Sequence, residues 1–517
     1  MSAAILDFGL LQRELSVLNL VVCGVIAYVL WRLWRFTVRP FFDPDSPREV
    51  PYFIPFAGHA ISMLRNPHDL LSFAIKYCKG SGEPVAINVF GQTIYFILSE
   101  QDATAVLREP PQVSHKEHLK SLLMGLGCSE LGISEMDHDS QPKAPALVLV
   151  AEEFMRKQLL ERSLSTELLA RSLEVLESHV RWDAINAPTL LRTSEDEQER
   201  TVSLWKWAQT AIIRAVATAW FGDSIWNLSP SIVEDLVCLE MDLWKLLFKL
   251  PQPCGKKVRA ARARMRRCLI EYMRLPPSSQ SDQCWAVKNA VPEMRRRRLS
   301  EDDMASYLLM VLWGSNANIF KLGFWLLAHI CSDQATLTAV VAEVDAIISA
   351  SNHAQESLSA LSMRLEQNPL LEALYNETQR LTINSGSART VEQDVTINGR
   401  TFKAGAHLLI PYRQLAMSHP LLAQDWDRFQ PDRFLSNPTL AHSKSFLPFG
   451  AGKHKCVGRF LTKRLALTFT ALVVHRFTVS PLDELPAIEF TPVTSGPGGP
   501  VGGNDMQLVI SQRDVLS

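Results

Sequence analysis

"FGAGKHKCVG", residues 449–458, sets one cysteine among glycines and basic residues, directly ahead of an apolar run. From Val457, "VGRFLTKRLALTFTALVVHRF" has the pattern of a helix of roughly five turns. Cys456 therefore stands at a helix N-terminus, where the dipole and free N–H groups favour a thiolate. Gly450, Gly452 and Gly458 remove side-chain bulk on both sides, so backbone can lie against something flat. A structural thiol, a nucleophile and a metal ligand are all open for such a cysteine. His454 is only two residues away, but a Cys–His nucleophile draws its histidine from elsewhere in the chain. A thiolate in a glycine loop beside aromatic Phe449 fits a haem-iron ligand better.

The rest of the chain narrows the choice. It has 517 residues, 47% hydrophobic and 21% charged, with a net charge of −1. That is room for a large core, and no global field favours nucleic acid. The nine cysteines are scattered and form no C-x-x-C pair. This argues against a disulfide framework and a structural zinc site, and fits a reducing compartment.

"LSVLNLVVCGVIAYVLW", residues 15–31, carries no charge, and Arg32, Arg35 and Arg39 follow it. The length is at the lower limit for a membrane span, and the positive side lies after it. A cleaved signal would need a basic start and a small-residue cleavage site, which are missing. The expected layout is a short luminal N-terminus (1–14), a transmembrane anchor (15–35), a proline-rich hinge (36–60) and one large body (61–517). Five prolines between residues 40 and 55 make that hinge a stiff, non-helical spacer.

Within the body, 84–100 reads as a hairpin around Phe90-Gly91-Gln92, and 394–405 as a hairpin around Asn398-Gly399. Helical periodicity dominates from about 101 to 385, and strand signals return after it. The arginines of "RRRR" (295–298) read as a solvated turn, and Ser300 as the N-cap of a long helix over 301–331, roughly 46 Å. That helix is apolar enough to raise the question of a second membrane span. Gly314, Ser315, Asn316, Asn318 and Lys321 would be costly against lipid, so a helix buried in a soluble core is expected. The glycine-rich 495–505 reads as a loop in a C-terminal hairpin, without a nucleotide role.

Phe449, Gly452, His454, Cys456 and Gly458 resemble the cytochrome P450 haem-loop pattern F-x-x-G-x-[R/H]-x-C-x-G. "ETQR" supplies Glu377 and Arg380, similar to the family's E-x-x-R pair, and "FQPDRF" supplies Arg433, similar to the third member of its ion network. The three occur in the family's order, and with the anchor and hinge the likeness is to a microsomal member. The resemblance implies a mainly α fold with a minor β region behind a single N-terminal transmembrane helix. It implies haem b with Cys456 as axial iron ligand and Phe449 beside the sulfur. Gly450, Gly452 and Gly458 would shape the cofactor loop, Arg389 and His454 would meet the haem propionates, and Glu377, Arg380 and Arg433 would hold the fold. The family's W-x-x-x-R over the propionates is not found; a basic residue near 115–160 is expected to replace it.

The family's long helix usually carries [A/G]-G-x-[D/E]-T. Here Gly314-Ser315-Asn316-Ala317-Asn318 aligns with it, so Ala317 stands for the acid and Asn318 for the threonine. The segment is similar to the branch of cholesterol 7α-hydroxylase, sterol 12α-hydroxylase and prostacyclin synthase, and Ala317 and Asn318 become the candidate catalytic positions. Asn318 can donate and accept hydrogen bonds but cannot relay a proton as an acid does. Because that branch is mixed, the motif leaves monooxygenase and isomerase open. The first expectation is an endoplasmic-reticulum enzyme with its catalytic domain in the cytosol. It would insert one oxygen atom from O2 into a lipophilic sterol, terpenoid or other secondary metabolite. The resemblance implies electrons from NADPH through NADPH–cytochrome P450 reductase, with cytochrome b5 as a second donor and no nucleic acid partner. Lys444, Lys453, Lys455, Arg459, Lys463 and Arg464 would form the docking face. The alternative is a haem-thiolate isomerase or dehydratase that acts on a peroxide or oxygenated substrate without NADPH. A non-catalytic haem-binding or sensing protein is the third reading.

Overall fold

The computed structural model describes residues 19–78, 82–137, 146–350, 357–490 and 496–513. The expected luminal segment 1–14 and the first residues of the anchor lie outside the described residues. The fold is mainly α with minor β strands, as the sequence predicts. One helix, Asn19–Phe42, is long and apolar enough to cross a membrane, and it is unburied along its length. It runs past the expected end at residue 35, through a π turn at Trp34–Val38, and takes Pro40 into the first turn of its last segment, Arg39–Phe42. Proline is tolerated there because that position lacks a helical N–H partner anyway.

The start of the expected non-helical, proline-rich stretch is helical to Phe42, and the rest is held against the anchor helix. Tyr28 Oη donates to Phe53 O at 2.7 Å, Arg32 Nη1 to Tyr52 O at 2.5 Å, and Arg35 pairs with Glu49 at 2.8 Å. These contacts fold residues 49–53 back onto the lower part of the helix.

Both expected hairpins are present. Val85–Val89 pairs with Gln92–Phe96, and Val395–Ile397 with Arg400–Phe402, all antiparallel. Each two-residue turn has positive φ at both positions (Phe90 49°, Gly91 78°; Asn398 49°, Gly399 78°), the twist that matches the strands. The larger sheet has six strands in the order Arg48–Glu49, Val85–Val89, Gln92–Phe96, His407–Pro411, Gly386–Val391, Val113–Ser114. A second sheet has the order Phe477–Pro481, Gln507–Gln512, Glu199–Ser203, Leu190–Thr193. Its last two strands interrupt the 101–385 region where helical periodicity dominates. They form a hairpin whose charged tip, "EDEQ", carries no glycine–asparagine turn signal, and the C-terminal strand holds it by tertiary pairing.

The long helix is the axis of the core, not a second membrane span. Residues from Met304 to Cys331 are almost all buried inside the body, against Leu204–Phe221 on one side and Arg459–Arg476 on another. Gly323 permits the close approach: a Cβ there would lie 2.5 Å from Ile212 Cδ1. The helix is also not continuous. It comprises Glu301–Asn316 and Ile319–Cys331, separated at Ala317 and Asn318. Ser300 caps its start by accepting from Asp303 N–H, and Asp303 Oδ1 in turn accepts from the Ser129 N–H at 2.7 Å, tying the helix to the preceding chain.

Candidate active site

The cysteine loop is built by backbone. Leu447 accepts from the Gly450 N–H at 3.0 Å, and Phe449 O accepts from the Cys456 N–H at 2.9 Å, closing the loop on itself. Gly450 and Gly452 have φ of 69° and 70°, where a side chain is strained. At Gly452 a Cβ would also fall 2.6 Å from Leu107 O. A single turn, Gly452–His454, leads to Cys456, and the following helix starts at Arg459 with Gly458 as its N-cap. Burial is the largest influence on the Cys456 thiol and pushes it up. The Gly458 N–H, the Arg459 charge and the Arg459 N–H oppose it. A coordinated metal cation deprotonates such a thiol outright.

Cys456 opens onto two cavities, of about 330 Å³ and about 310 Å³, which share Met155, His454, Cys456 and Val457 in their walls. Gly314, Ser315 and Asn318 of the long helix face the larger one, with Phe449, Gly450 and Gly458 also in its wall. Asn318 thus reaches the cavity. Ala317 does not line it; its methyl is 3% exposed and packs in the core, because the next position round a helix points elsewhere. Of the two candidate catalytic positions, the structure brings only Asn318 to the cavity. Ala317 N–H still reaches Trp313 O at 2.8 Å and Asn318 O accepts from Leu322 N–H at 3.1 Å, so the chain deviates only at this pair. Gly496 of the C-terminal loop lies directly on Asn318: a Cβ there would be 2.4 Å from Asn318 Oδ1. Gly496 O also accepts from Asn384 N–H at 3.0 Å, which joins the loop to the chain after the helix Pro369–Thr382.

Beside His454, charged and imidazole side chains gather behind the cavity walls, and Arg389, Glu109 and His115 line neither cavity. Arg389 and His454, the expected propionate partners, converge on one carboxylate. Glu109 Oε1 is 2.9 Å from Arg389 Nε and 3.1 Å from His454 Nε2, with His115 Nδ1 at 3.5 Å. Glu109, His115 and His454 each bring a ligand atom within 4.8 Å of the others. Burial lowers the His454 pKa, and the neighbouring His115 and Arg389 lower it further against the pull of Glu109 and Glu152. The sequence left one basic position unassigned. Arg156, on Leu147–Leu160, lines the second cavity together with Glu152, four positions before it. Glu152 stands where the W-x-x-x-R pattern has tryptophan, which hid the arginine.

Behind the loop, Glu377 is 0% exposed. It takes a bidentate pair from Arg380 at 2.8 Å and 2.8 Å, the Arg433 Nε at 3.1 Å and the Gln430 N–H at 2.8 Å. Arg380 and Arg433 spend their remaining donors on the carbonyls of Leu422, Trp426, Arg428, Leu421 and Gln424. None of these three charges lines either of the two cavities, and together they staple the helix Pro369–Thr382 to the segment 421–433.

The cytochrome P450 family model matches residues 50–499, most of the chain. The chain belongs to the cytochrome P450 family. It is therefore an oxidoreductase of the monooxygenase type. Among curated proteins it is 20% identical to the cytochrome P450 monooxygenase poxD of Penicillium oxalicum, over 88% of this chain and 92% of that protein. It is 26% identical to prostacyclin synthase of Rattus norvegicus over 40% of this chain and 44% of that one. It is 29% identical to cyclooctat-9-en-7-ol 5-monooxygenase of Streptomyces melanosporofaciens over 44% and 48%. Membership of the cytochrome P450 family implies a haem cofactor, and the residues present fit one: a sulfur facing a slot, glycines flanking it, and arginine and histidine side chains at one end.

Proposed function

We propose that this cytochrome P450 is a membrane-anchored haem-thiolate monooxygenase that inserts one oxygen atom from O2 into a lipophilic substrate. The observation that carries the reading is one cysteine, Cys456, opening onto a largely apolar cavity opposite a break in the long helix. Haem, when bound, supplies the oxygen activation. The chain's part is to hold and shield it. Cys456 would ligate the iron, and Phe449, Gly450, Gly452 and Gly458 would shape the loop. Arg389, His454 and Arg156 would hold the acidic edge of the cofactor. Glu377, Arg380 and Arg433 would keep that loop's support rigid. Met155, Leu159, Trp220, Ile319 and Leu322 would exclude water and accept an apolar body. The substrate class that suits them is a sterol, terpenoid or other polycyclic secondary metabolite. Asn318, at the break, would orient a water or the reacting end of the substrate.

Electrons would come from NADPH through NADPH–cytochrome P450 reductase, with cytochrome b5 as a second donor, at the endoplasmic reticulum with the body in the cytosol. The N-terminal helix and the arginines after its apolar run support this placement. A second reading, a haem-thiolate isomerase or dehydratase acting on a peroxide or oxygenated substrate, stays open because the position before Asn318 carries a methyl and no acid. Reduced protein under carbon monoxide should give the Soret band of a thiolate-bound haem. NADPH consumption, with reductase, coupled to an oxygenated product supports the monooxygenase. Turnover of a fatty-acid hydroperoxide without NADPH supports the isomerase. Loss of the thiolate band would end both.

A further inference from the structure

The long helix carries a buried charge that the cavity does not use. Lys321 has 1% of its side chain exposed and pairs with Glu240, 2% exposed, across 2.5 Å. Glu240 belongs to another helix, Ile232–Leu247. Its second oxygen, Oε2, accepts from Trp313 Nε1 at 2.7 Å. Trp313 and Lys321 stand on either side of the Ala317–Asn318 pair, about two turns apart, so they share a helix face. One carboxylate thus bridges the break. The same helix also reaches the loop that covers Asn318, since a Cβ at Gly499 would meet Met241 Cε at 2.6 Å.

A buried ion pair is a poor source of net stability, because desolvation offsets most of the attraction. It does define geometry, since few arrangements satisfy both charges. Neither Glu240 nor Lys321 lines either cavity. We propose that Glu240 is a positioning residue, whose carboxylate, shared by Trp313 and Lys321, fixes the helix break and thereby the aim of Asn318 into the cavity. It also couples the helix Ile232–Leu247 to that break.

The test uses the full-length, haem-loaded protein in detergent. Backbone amide exchange is read over residues 313–322, and imidazole binding is read by its difference spectrum. Glu240→Gln should accelerate exchange at the break roughly tenfold or more, as local opening becomes easier. It should shift imidazole affinity severalfold while leaving the thiolate band under carbon monoxide in place. Glu240→Leu/Lys321→Met removes both charges with little loss of volume and guards against a single variant that fails to fold. It should restore thermal stability but keep the fast exchange and the altered affinity. Native exchange and affinity in the double variant would reduce the pair to a structural role and overturn the proposal. So would an unchanged break in a folded Glu240→Gln. A wild type without the thiolate band overturns the haem-thiolate reading alone, and the exchange measurement still decides on Glu240.

Discussion

Behind the cysteine loop, Glu377 is gripped by two guanidiniums and a backbone N–H, and those arginines are gripped in turn by carbonyls. Across the cavity, Glu240 is gripped by an ammonium and an indole, which reach it from two sides of a helix break. Both carboxylates are buried. The first closes a network within two neighbouring segments, with every strong donor directed at a fixed acceptor. The second joins one helix to both sides of a break in another. The proximal half is therefore fixed by a network that closes on itself, and the distal half by one carboxylate that sets the geometry of a helix break. Substitutions should separate the two, with large losses of stability on one side and changes of ligand handling on the other.

The largest effect is expected at Glu377. Glu377→Ala leaves two buried arginines facing each other without a carboxylate, the situation that costs about 3–5 kcal/mol when one partner of a buried pair is removed. Denaturant unfolding should show that loss, and purified protein should retain far less haem. If the stability of Glu377→Ala matched wild type, the contrast between the two halves would collapse.

How much of this was readable follows the same division. Glu377, Arg380 and the cysteine loop were legible because their partners lie at short, fixed spacings: i and i+3 on one helix, or a ten-residue loop with glycines where φ must be positive. The hairpins at Phe90-Gly91 and Asn398-Gly399 were legible for the same local reason. The break at Ala317–Asn318 was not. Both residues keep right-handed φ and ψ (−52° and −31°; −111° and −27°), so no glycine or proline is needed and none marks it. Nor could Glu240 be found, because its partners lie far along the chain. Gly496 reads as one more glycine in a loop until Asn318 is placed against it. Arg156 was hidden by a glutamate where the pattern has a tryptophan, and only the cavity wall brings it out.

His329 joins the two halves. It lies on the downstream part of the long helix and stacks on Phe429 at 4.3 Å and 4°, next to the Gln430 whose N–H serves Glu377. Burial, with a smaller contribution from the Arg380 charge, lowers its pKa to about 3. The unfolded chain, with an ordinary histidine near 6.5, then binds the proton more readily than the folded one. Its contribution to stability is complete above that value and is lost as pH falls from about 6.5 toward 3. The size is on the order of a few kcal/mol at the acid end. His329→Leu should flatten this part of the pH–stability curve and leave neutral pH little changed. An acid limb of unaltered slope would remove His329 as the link.

Gly496 should give the opposite signature to Glu377. A Cβ there must displace Asn318 or the C-terminal loop, but the loop can yield, so Gly496→Ala should cost no more than about 1 kcal/mol, the low end for overpacking. Its effect should fall on the cavity. With reductase and NADPH, more reducing equivalents should leak to hydrogen peroxide per product formed, and imidazole affinity should change. A variant that loses stability as Glu377→Ala does, with unaltered coupling, would show the distal loop to be as rigid as the proximal one.

The smallest effect belongs to the proximal surface, where the reductase would dock. The basic patch there is weaker than a count of its charges implies. Lys463 is held by Glu372 at 3.0 Å and Arg464 by Glu366 at 2.7 Å, so part of the field is already cancelled. Lys444 is exposed. Lys444→Ala should raise the KM for reductase about two- to fivefold at low ionic strength and leave kcat alone, as loss of a rim charge does. Glu372→Gln should lower that KM, since it frees the Lys463 charge. Both changes should shrink toward nothing near 0.5 M salt, where the screening length is shorter than about 5 Å. Equal-signed shifts from the two variants, or shifts that survive salt, would mean that the patch does not steer the electron donor and that the cysteine face is rigid for reasons of its own.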